Sequence, residues 1–153
     1  MTKHIFRLIL PLTLISFGLV TKWWFGIAID AKDVFFEGFP LIYKCEGFHT
    51  SLSTQYFIFE LFVNLMTYFL FWFVVTFLAT RIWTINIPAK IVKVFWIGYG
   101  LLFLGFVFLS IDLNDLYLKK RNFEVEIFDT GISIFGNTPT DREKYQHQIK
   151  EHN

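Results

Sequence analysis

The apolar residues of this chain are concentrated in three long stretches that few charged residues interrupt. The stretches cover about residues 5–29, 56–80 and 91–111. A helix needs about 20 predominantly apolar residues to cross a bilayer whose hydrocarbon core is about 30 Å thick. Because each stretch reaches this length, the pattern predicts three transmembrane helices.

The first stretch allows two interpretations. Arg7 and Lys22 interrupt it, but both lie near its ends, where long side chains reach the headgroups. The stretch also has the parts of a signal peptide, with a basic start, an apolar core over residues 8–20 and a small-x-small motif at residues 26–28. The bulky Trp-Trp-Phe run at residues 23–25 disfavours cleavage and is typical of the aromatic belt at a membrane interface. We therefore favour a retained helix.

Between the first two predicted helices lies a loop of acidic and aromatic residues, at positions 30–55. Gly38 and Pro40 disfavour a helix there. So much aromatic surface would not remain free in water, so we expect the loop to pack on the helix ends or on a partner. The side chains that we expect at such a contact are Phe39, Tyr43, Cys45 and Phe48.

The chain after the third stretch is more polar. Apolar and acidic residues alternate from Phe123, and the turn sequence Asp129-Thr130-Gly131 follows, which predicts a β-hairpin over about residues 123–135. The fold predicted from these elements is an all-α membrane protein. It has a three-span membrane domain at 1–111, an aromatic-rich first loop, and an extramembrane tail at 112–153 with one short β-hairpin.

The composition supports a membrane protein. Of 153 residues, 54% are hydrophobic and 21 are Phe, while only 18% are charged, against about 25% in soluble domains. A soluble domain of this size buries only about 68–70% of its unfolded surface and could not hide so many large apolar side chains. The composition excludes an ordinary soluble domain, and the net charge of +1 excludes the basic footprint of nucleic-acid binding.

The positive-inside rule counts Lys and Arg near the ends of the spans. One side of the membrane has five such residues, namely Lys3, Arg7, Arg81, Lys90 and Lys93. The other side has six, namely Lys22, Lys32, Lys44, Lys119, Lys120 and Arg121. The short basic N-terminus and the tight basic loop favour a cytoplasmic N-terminus at the bacterial inner membrane, whereas the cluster at 119–121 favours the opposite orientation.

Three polar residues of the second stretch, Glu60, Asn64 and Thr67, share one helical face because they lie at positions i, i+4 and i+7. An intramembrane carboxylate suggests a proton or ion site. The alternative is a structural role, with Glu60 near the headgroups and Asn64 bound to a neighbouring helix. We favour the structural role, since the stretch offers Glu60 no second charge to relay to.

The third stretch has Gly98 and Gly105 seven residues apart on one face, where small residues let helices approach closely. Cys45 and His49 are two ligand-type residues, whereas a metal site needs three or four. The chain has no GxSxG, HExxH or Gly-rich phosphate motif, and a single Asp-Thr-Gly is explained by turn chemistry. We therefore predict no metal, no cofactor and no enzymatic activity.

Two segments resemble a pattern seen in small uncharacterised multi-span membrane proteins of bacteria. They are Phe36-Glu37-Gly38-Phe39-Pro40-Leu41 and Glu46-Gly47-Phe48-His49-Thr50-Ser51-Leu52-Ser53. The resemblance covers roughly the first loop and the start of the second stretch, and it brings no activity and no assigned functional residues.

From these observations we expect an accessory or structural, non-catalytic subunit of a multi-component bacterial inner-membrane assembly. Its expected partners are other integral membrane proteins and the lipid bilayer, and not nucleic acid. Two alternatives stay open. One is a small homo-oligomeric transporter or ion-conducting protein that uses Glu60, and the other is a membrane-resident immunity protein.

Overall fold

The computed structural model describes residues 4–28, 31–47, 53–83, 87–112 and 115–134. Within these ranges the chain forms three α-helices and a six-stranded mixed sheet. The helices are α1 (Leu10–Leu19), which follows a π-helical turn at Ile5–Ile9, α2 (Ile58–Ile82) and α3 (Ala89–Asp112). The strands are β1 (Val20–Ala28), β2 (Ala31–Glu37), β3 (Lys44–Glu46), β4 (Thr54–Phe57), β5 (Leu116–Leu118) and β6 (Val125–Ile134).

The strand order in the sheet is β5-β4-β3-β2-β1-β6. Neighbouring strands are antiparallel except for the parallel pair β4 and β5. β1 pairs with β2 on one side and along its whole length with β6 on the other. The segments on both sides of the two long helices are therefore joined in one sheet.

The prediction of an all-α protein with three spans is wrong, and the first predicted span shows why. Residues 5–29 are helical only as far as Leu19, and Val20 is extended with φ −127° and ψ 117°. The β-branched and aromatic run that starts at Val20 suits a strand. Trp23 and Phe25 are buried with Phe35 of β2 on one face of the sheet. Hydropathy alone does not distinguish a membrane helix from a strand that is buried on both faces.

The predicted β-hairpin at 123–135 is also wrong. β6 continues through Asp129-Thr130-Gly131 without a turn, and the Thr130 hydroxyl donates a hydrogen bond to the Trp23 carbonyl at 2.9 Å. β1 offers β6 a nine-residue partner, so long-range pairing satisfies the backbone groups that a hairpin would satisfy locally. The predicted first loop, likewise, contains the strands β2 and β3.

Both faces of the sheet carry a core. One core contains Ala28, Val34, Phe36, Ile42, Cys45 and Phe57. The other contains Trp23, Phe25 and Phe35, with Ile27 and Phe128 packed against them. Trp23 and Phe25, which the sequence assigns to the membrane interface, are thus buried in the core of the sheet.

The second and third predicted spans are helices in the structure. Among the described residues, two helices, Ile58–Ile82 and Ala89–Ile111, are long and apolar enough to cross a membrane by length and composition. The helical segment Ile5–Leu19 is shorter and packs along α2. β1 follows the end of α1, β4 precedes α2 and β5 follows α3, so the sheet lies at one end of the helices.

Candidate functional site

Asn64 joins α2 to the turn that follows β2. Its side chain is fully buried, at 0% exposure. Its Oδ1 accepts a hydrogen bond from the Leu41 N–H at 2.9 Å, and its Nδ2 donates one to the Leu41 carbonyl at 2.6 Å. The turn requires glycine at position 38, where φ is +148° and a Cβ would overlap the Leu41 carbonyl. The amide therefore binds a turn of the same chain.

Glu60 lies one helical turn earlier and is 6% exposed. Its Oε1 accepts a hydrogen bond from the backbone N–H of Arg121 at 3.2 Å, which attaches α2 to the segment between β5 and β6. Its Oε2 is buried and has no hydrogen-bond partner in the part of the chain that the structure describes. The Thr67 hydroxyl donates to the Val63 carbonyl within α2, at 3.0 Å.

The three residues of the predicted polar face thus bind three different partners. Asn64 and Glu60 each bind backbone atoms of a different loop, and Thr67 binds its own helix. Within the described ranges, no group of three or more His, Cys, Asp or Glu residues could hold a metal ion. Asn64 and Glu60 therefore connect α2 to two loops that lie between strands, whereas Thr67 makes no such connection.

Three of the four residues expected to contact a partner are described, and of these three only Phe39 is exposed, at 47%. Tyr43 and Cys45 are buried because the first loop forms strands, and Phe48 lies outside the described residues. Burial raises the pKa of the Cys45 thiol to about 12, and burial together with the nearby Glu37 raises the pKa of Tyr43. Cys45 is free, with its Sγ 3.9 Å from Oε1 of Gln55.

A polar cluster at the end of α3 was not predicted. The Asp115 carboxylate accepts hydrogen bonds from the Thr54 N–H and from the Ser110 hydroxyl, both at 2.8 Å. Ser110 also hydrogen-bonds to the Tyr117 hydroxyl. Burial, followed by the Asp115 charge, raises the pKa of the adjacent Tyr56 to about 12. The sequence signal for this cluster is a Ser and an Asp at the end of a long apolar stretch.

The two glycines predicted to pack helices face open space. Apart from the adjacent residues and the backbone of the same helix, no described atom lies within 4 Å of the position that a Cβ would take at Gly98 or Gly105, and the same holds for Gly18 of α1 and for Gly100. Gly98 and Gly18 line an open groove of about 440 Å³ between α1 and α3. The remaining lining residues are Leu14, Ile15, Leu19, Val94, Phe95, Tyr99 and Leu102.

One hydrogen bond connects α3 to the N-terminal helical segment, whereas most of the α3 surface is exposed. The Trp96 indole N–H donates to the Phe6 carbonyl at 3.3 Å, which connects α3 to the π-helical turn. Elsewhere α3 packs against little of the described chain, and every side chain from 101 to 109 is exposed. The α1–α3 groove is therefore apolar, bordered by glycines and unfilled by the described residues.

Comparisons of the chain with protein-family models, with curated proteins and with solved structures found no match. No relative therefore assigns a function to the polar contacts of α2 or to the α1–α3 groove.

Proposed function

We propose that this chain is a non-catalytic subunit of a multi-component assembly in the bacterial inner membrane. In this proposal α2 and α3 anchor the chain in the bilayer, and the α1–α3 groove binds an apolar helix of a partner subunit. The observation that carries the proposal is the groove itself, in which Gly18 and Gly98 leave open positions between two apolar helices.

The surface of the long helices supports the anchoring role. α3 exposes large apolar residues on all sides, for example Leu102 at 75%, Phe108 at 74% and Ile111 at 74%. A helix that is apolar all round is buried in a large core or in a membrane. The described part of the chain provides no core around α3, and in this proposal hydrocarbon and the partner helix cover its surface.

The glycines support a helix as the occupant of the groove. Association of helices in a membrane depends on close van der Waals packing, and small residues let two backbones approach. Gly98 and Gly105 are on one face of α3, and Gly18 lies across the groove from Gly98. A partner helix placed there would gain backbone contacts that a mobile lipid tail forms less well.

The transporter alternative receives less support from the same contacts. An ion path would need Glu60 and Asn64 to line an open route, yet both are buried against loops of their own chain. The alternative of an immunity protein is not favoured by any particular contact.

Leucine substitutions at the glycines test the proposal. Gly98→Leu would fill the α1–α3 groove, whereas Gly100→Leu adds the same side chain two residues away, on the other side of α3. After gentle detergent extraction, we expect the wild type and Gly100→Leu to elute in a complex with a second membrane protein. Gly98→Leu should elute as a monomer of 18.2 kDa. Size-exclusion chromatography with mass analysis measures both outcomes.

A lone wild-type monomer would contradict the proposal, as would equal complex formation by both leucine variants. A complex that contains only copies of this chain would instead favour the homo-oligomeric transporter. In that case, flux into reconstituted vesicles should be abolished by Glu60→Gln.

A further inference from the structure

A second apolar groove lies where α1, α2 and β1 meet, and its volume is about 500 Å³. Ser16 and Val20 border it on one side, and Phe71 and Trp72 of α2 border it on the other. Lys22 and Phe39 lie at the end nearest the sheet. The volume is within the range of about 300–1,000 Å³ that is typical of sites for small ligands.

Two hydrogen bonds join residues that line this groove. The Tyr68 hydroxyl donates to the Val20 carbonyl at 2.6 Å, and the Trp72 indole N–H donates to the Ser16 hydroxyl at 2.8 Å. Because these groups are satisfied, the walls offer a ligand almost only apolar surface. Such walls suit a hydrocarbon chain.

Lys22 is the charged group that borders the groove. Its ammonium lies 3.7 Å from the centroid of the Trp24 ring, and it forms no ion pair with another described residue. The Trp24 ring is held in place by its indole N–H, which donates to the Gly38 carbonyl at 2.8 Å. An ammonium group has three hydrogen-bond donors and is therefore able to bind an anion while it remains over the ring.

The position of Lys22 indicates the kind of anion. A Lys next to Trp residues at the end of apolar helices is typical of the headgroup region of a bilayer. From Lys22 the groove extends along α2 past Phe71 and Trp72, towards the exposed apolar part of that helix. A cation at one end and an apolar channel beyond it match an amphiphile with an anionic head.

We propose that this groove binds one phospholipid with a net negative headgroup, with its phosphate at Lys22 and one acyl chain lying along the groove against Phe39 and Phe71. The proposal rests on the membrane insertion proposed above. Neutral lipids would occupy the same channel, and Lys22 would provide the preference for an anionic headgroup.

Native mass spectrometry of the full chain in mild detergent tests the site, with phosphatidylglycerol and phosphatidylcholine added in equal amounts. We expect the wild type to bind one phosphatidylglycerol about fivefold more than phosphatidylcholine, from about 1 kcal/mol per Lys near an anionic headgroup. Lys22→Gln should abolish this preference. Lys44→Gln is the matched control, because Lys44 pairs with Glu37 at 3.2 Å on the sheet and should leave the preference unchanged.

A second variant tests the channel. Thr67 lines the groove and hydrogen-bonds only within α2, so Thr67→Phe should obstruct the acyl chain and reduce the binding of both lipids. Lipid preference that survives Lys22→Gln, or that Lys44→Gln abolishes equally, would overturn the proposal. Equal binding of the two lipids by the wild type would also overturn it.

Failure of the site is distinguishable from failure of the proposed function. A chain that stays in the aqueous fraction without detergent would refute membrane insertion. A chain that requires detergent, yet binds no lipid stoichiometrically, would refute the phospholipid site alone.

Discussion

Asn64 lies in an apolar helix, where both polar ends of its amide bind the backbone of Leu41. A buried amide without partners would destabilise the fold, and so would an unpaired Leu41 backbone. The residue and the turn therefore stabilise each other, and this explains a polar residue among so many apolar ones.

We predict that Asn64→Ala lowers the free energy of unfolding by about 1–3 kcal/mol, because it removes two hydrogen bonds to the Leu41 backbone, each worth about 0.5–1.5 kcal/mol. Thr67→Val is the control on the same helix. It removes only a bond to the preceding turn and should cost less than about 0.5 kcal/mol. Chemical unfolding in detergent measures both values. Equal losses for the two variants would show that the Leu41 contact contributes little.

Cys45, which the sequence predicts at a partner contact, is a core residue of the sheet in the structure. It is 2% exposed within the core of the sheet, and burial raises its pKa to about 12 from an ordinary 9.0. Since the thiolate is the nucleophile, both burial and the raised pKa suppress its reactivity.

We predict that a maleimide reagent labels Cys45 very slowly in the folded protein between pH 7 and 9. In denaturant, labelling should be fast and should rise with pH until the thiol is ionised near 9.0. The folded state binds the thiol proton more tightly than the unfolded state, so stability falls as the pH rises from about 9 towards 12. Labelling rates with and without denaturant check this prediction, and fast labelling of the folded chain would contradict the buried position.

At the scale of the elements, the end of α3 depends on Asp115 for its connection to the sheet. The carboxylate binds the last turn of α3 through Ser110 and binds β4 through the Thr54 N–H. Tyr117 of β5 stacks on Tyr56 of β4 with ring centroids 5.4 Å apart. These contacts explain why the short parallel strand β5 pairs with β4 directly after a long helix.

We predict that Asp115→Ala releases β5 from β4, because the Thr54 N–H and the Ser110 hydroxyl both lose their acceptor. Amide hydrogen exchange should increase at least tenfold in β5, which corresponds to a local loss of about 1.4 kcal/mol or more. β6 should keep its protection. Asp129→Ala is the control, since the Asp129 carboxylate accepts a hydrogen bond from the N–H of its own neighbour, Thr130. Equal exchange in both variants would contradict the role of Asp115.

At the scale of the whole molecule, the sheet lies at one end of the helices, and the end of α2 and the start of α3 lie at the other. If α2 and α3 span the bilayer, these two regions are on opposite sides. We predict that the sheet lies outside the cytoplasm, because the orientation favoured from the sequence has a cytoplasmic N-terminus and Ile5–Leu19 runs along α2 towards the sheet.

Two single-cysteine variants in a Cys45→Ala background test this arrangement. Glu126 is exposed on β6 and Lys90 is exposed at the start of α3. We predict that a membrane-impermeant maleimide labels Glu126→Cys in intact spheroplasts, and labels Lys90→Cys only after the membrane is broken. The reverse pattern would invert the orientation. Labelling of both in intact spheroplasts would contradict the two spans.

Local sequence was sufficient for α2 and α3. The predicted spans 56–80 and 91–111 agree closely with Ile58–Ile82 and Ala89–Asp112. A helix satisfies its backbone hydrogen bonds within one segment, so a long uninterrupted apolar stretch is enough to predict it. The shared face of Glu60 and Asn64 was also predictable from spacing, but their partners at Arg121 and Leu41 were not.

The strands depended on residues far away in the sequence. Val20–Ala28 is a strand because β2 and β6 supply partners along it, and the pairing of Trp23 with Gly131 joins positions that no local pattern relates. Gly131 also lies against the Trp23 ring, where a Cβ would come within 2.6 Å. The sequence by itself therefore determined the two long apolar helices. The tertiary structure alone decided the sheet, the burial of Cys45 and the grooves, since each needs backbone or side-chain partners from distant segments.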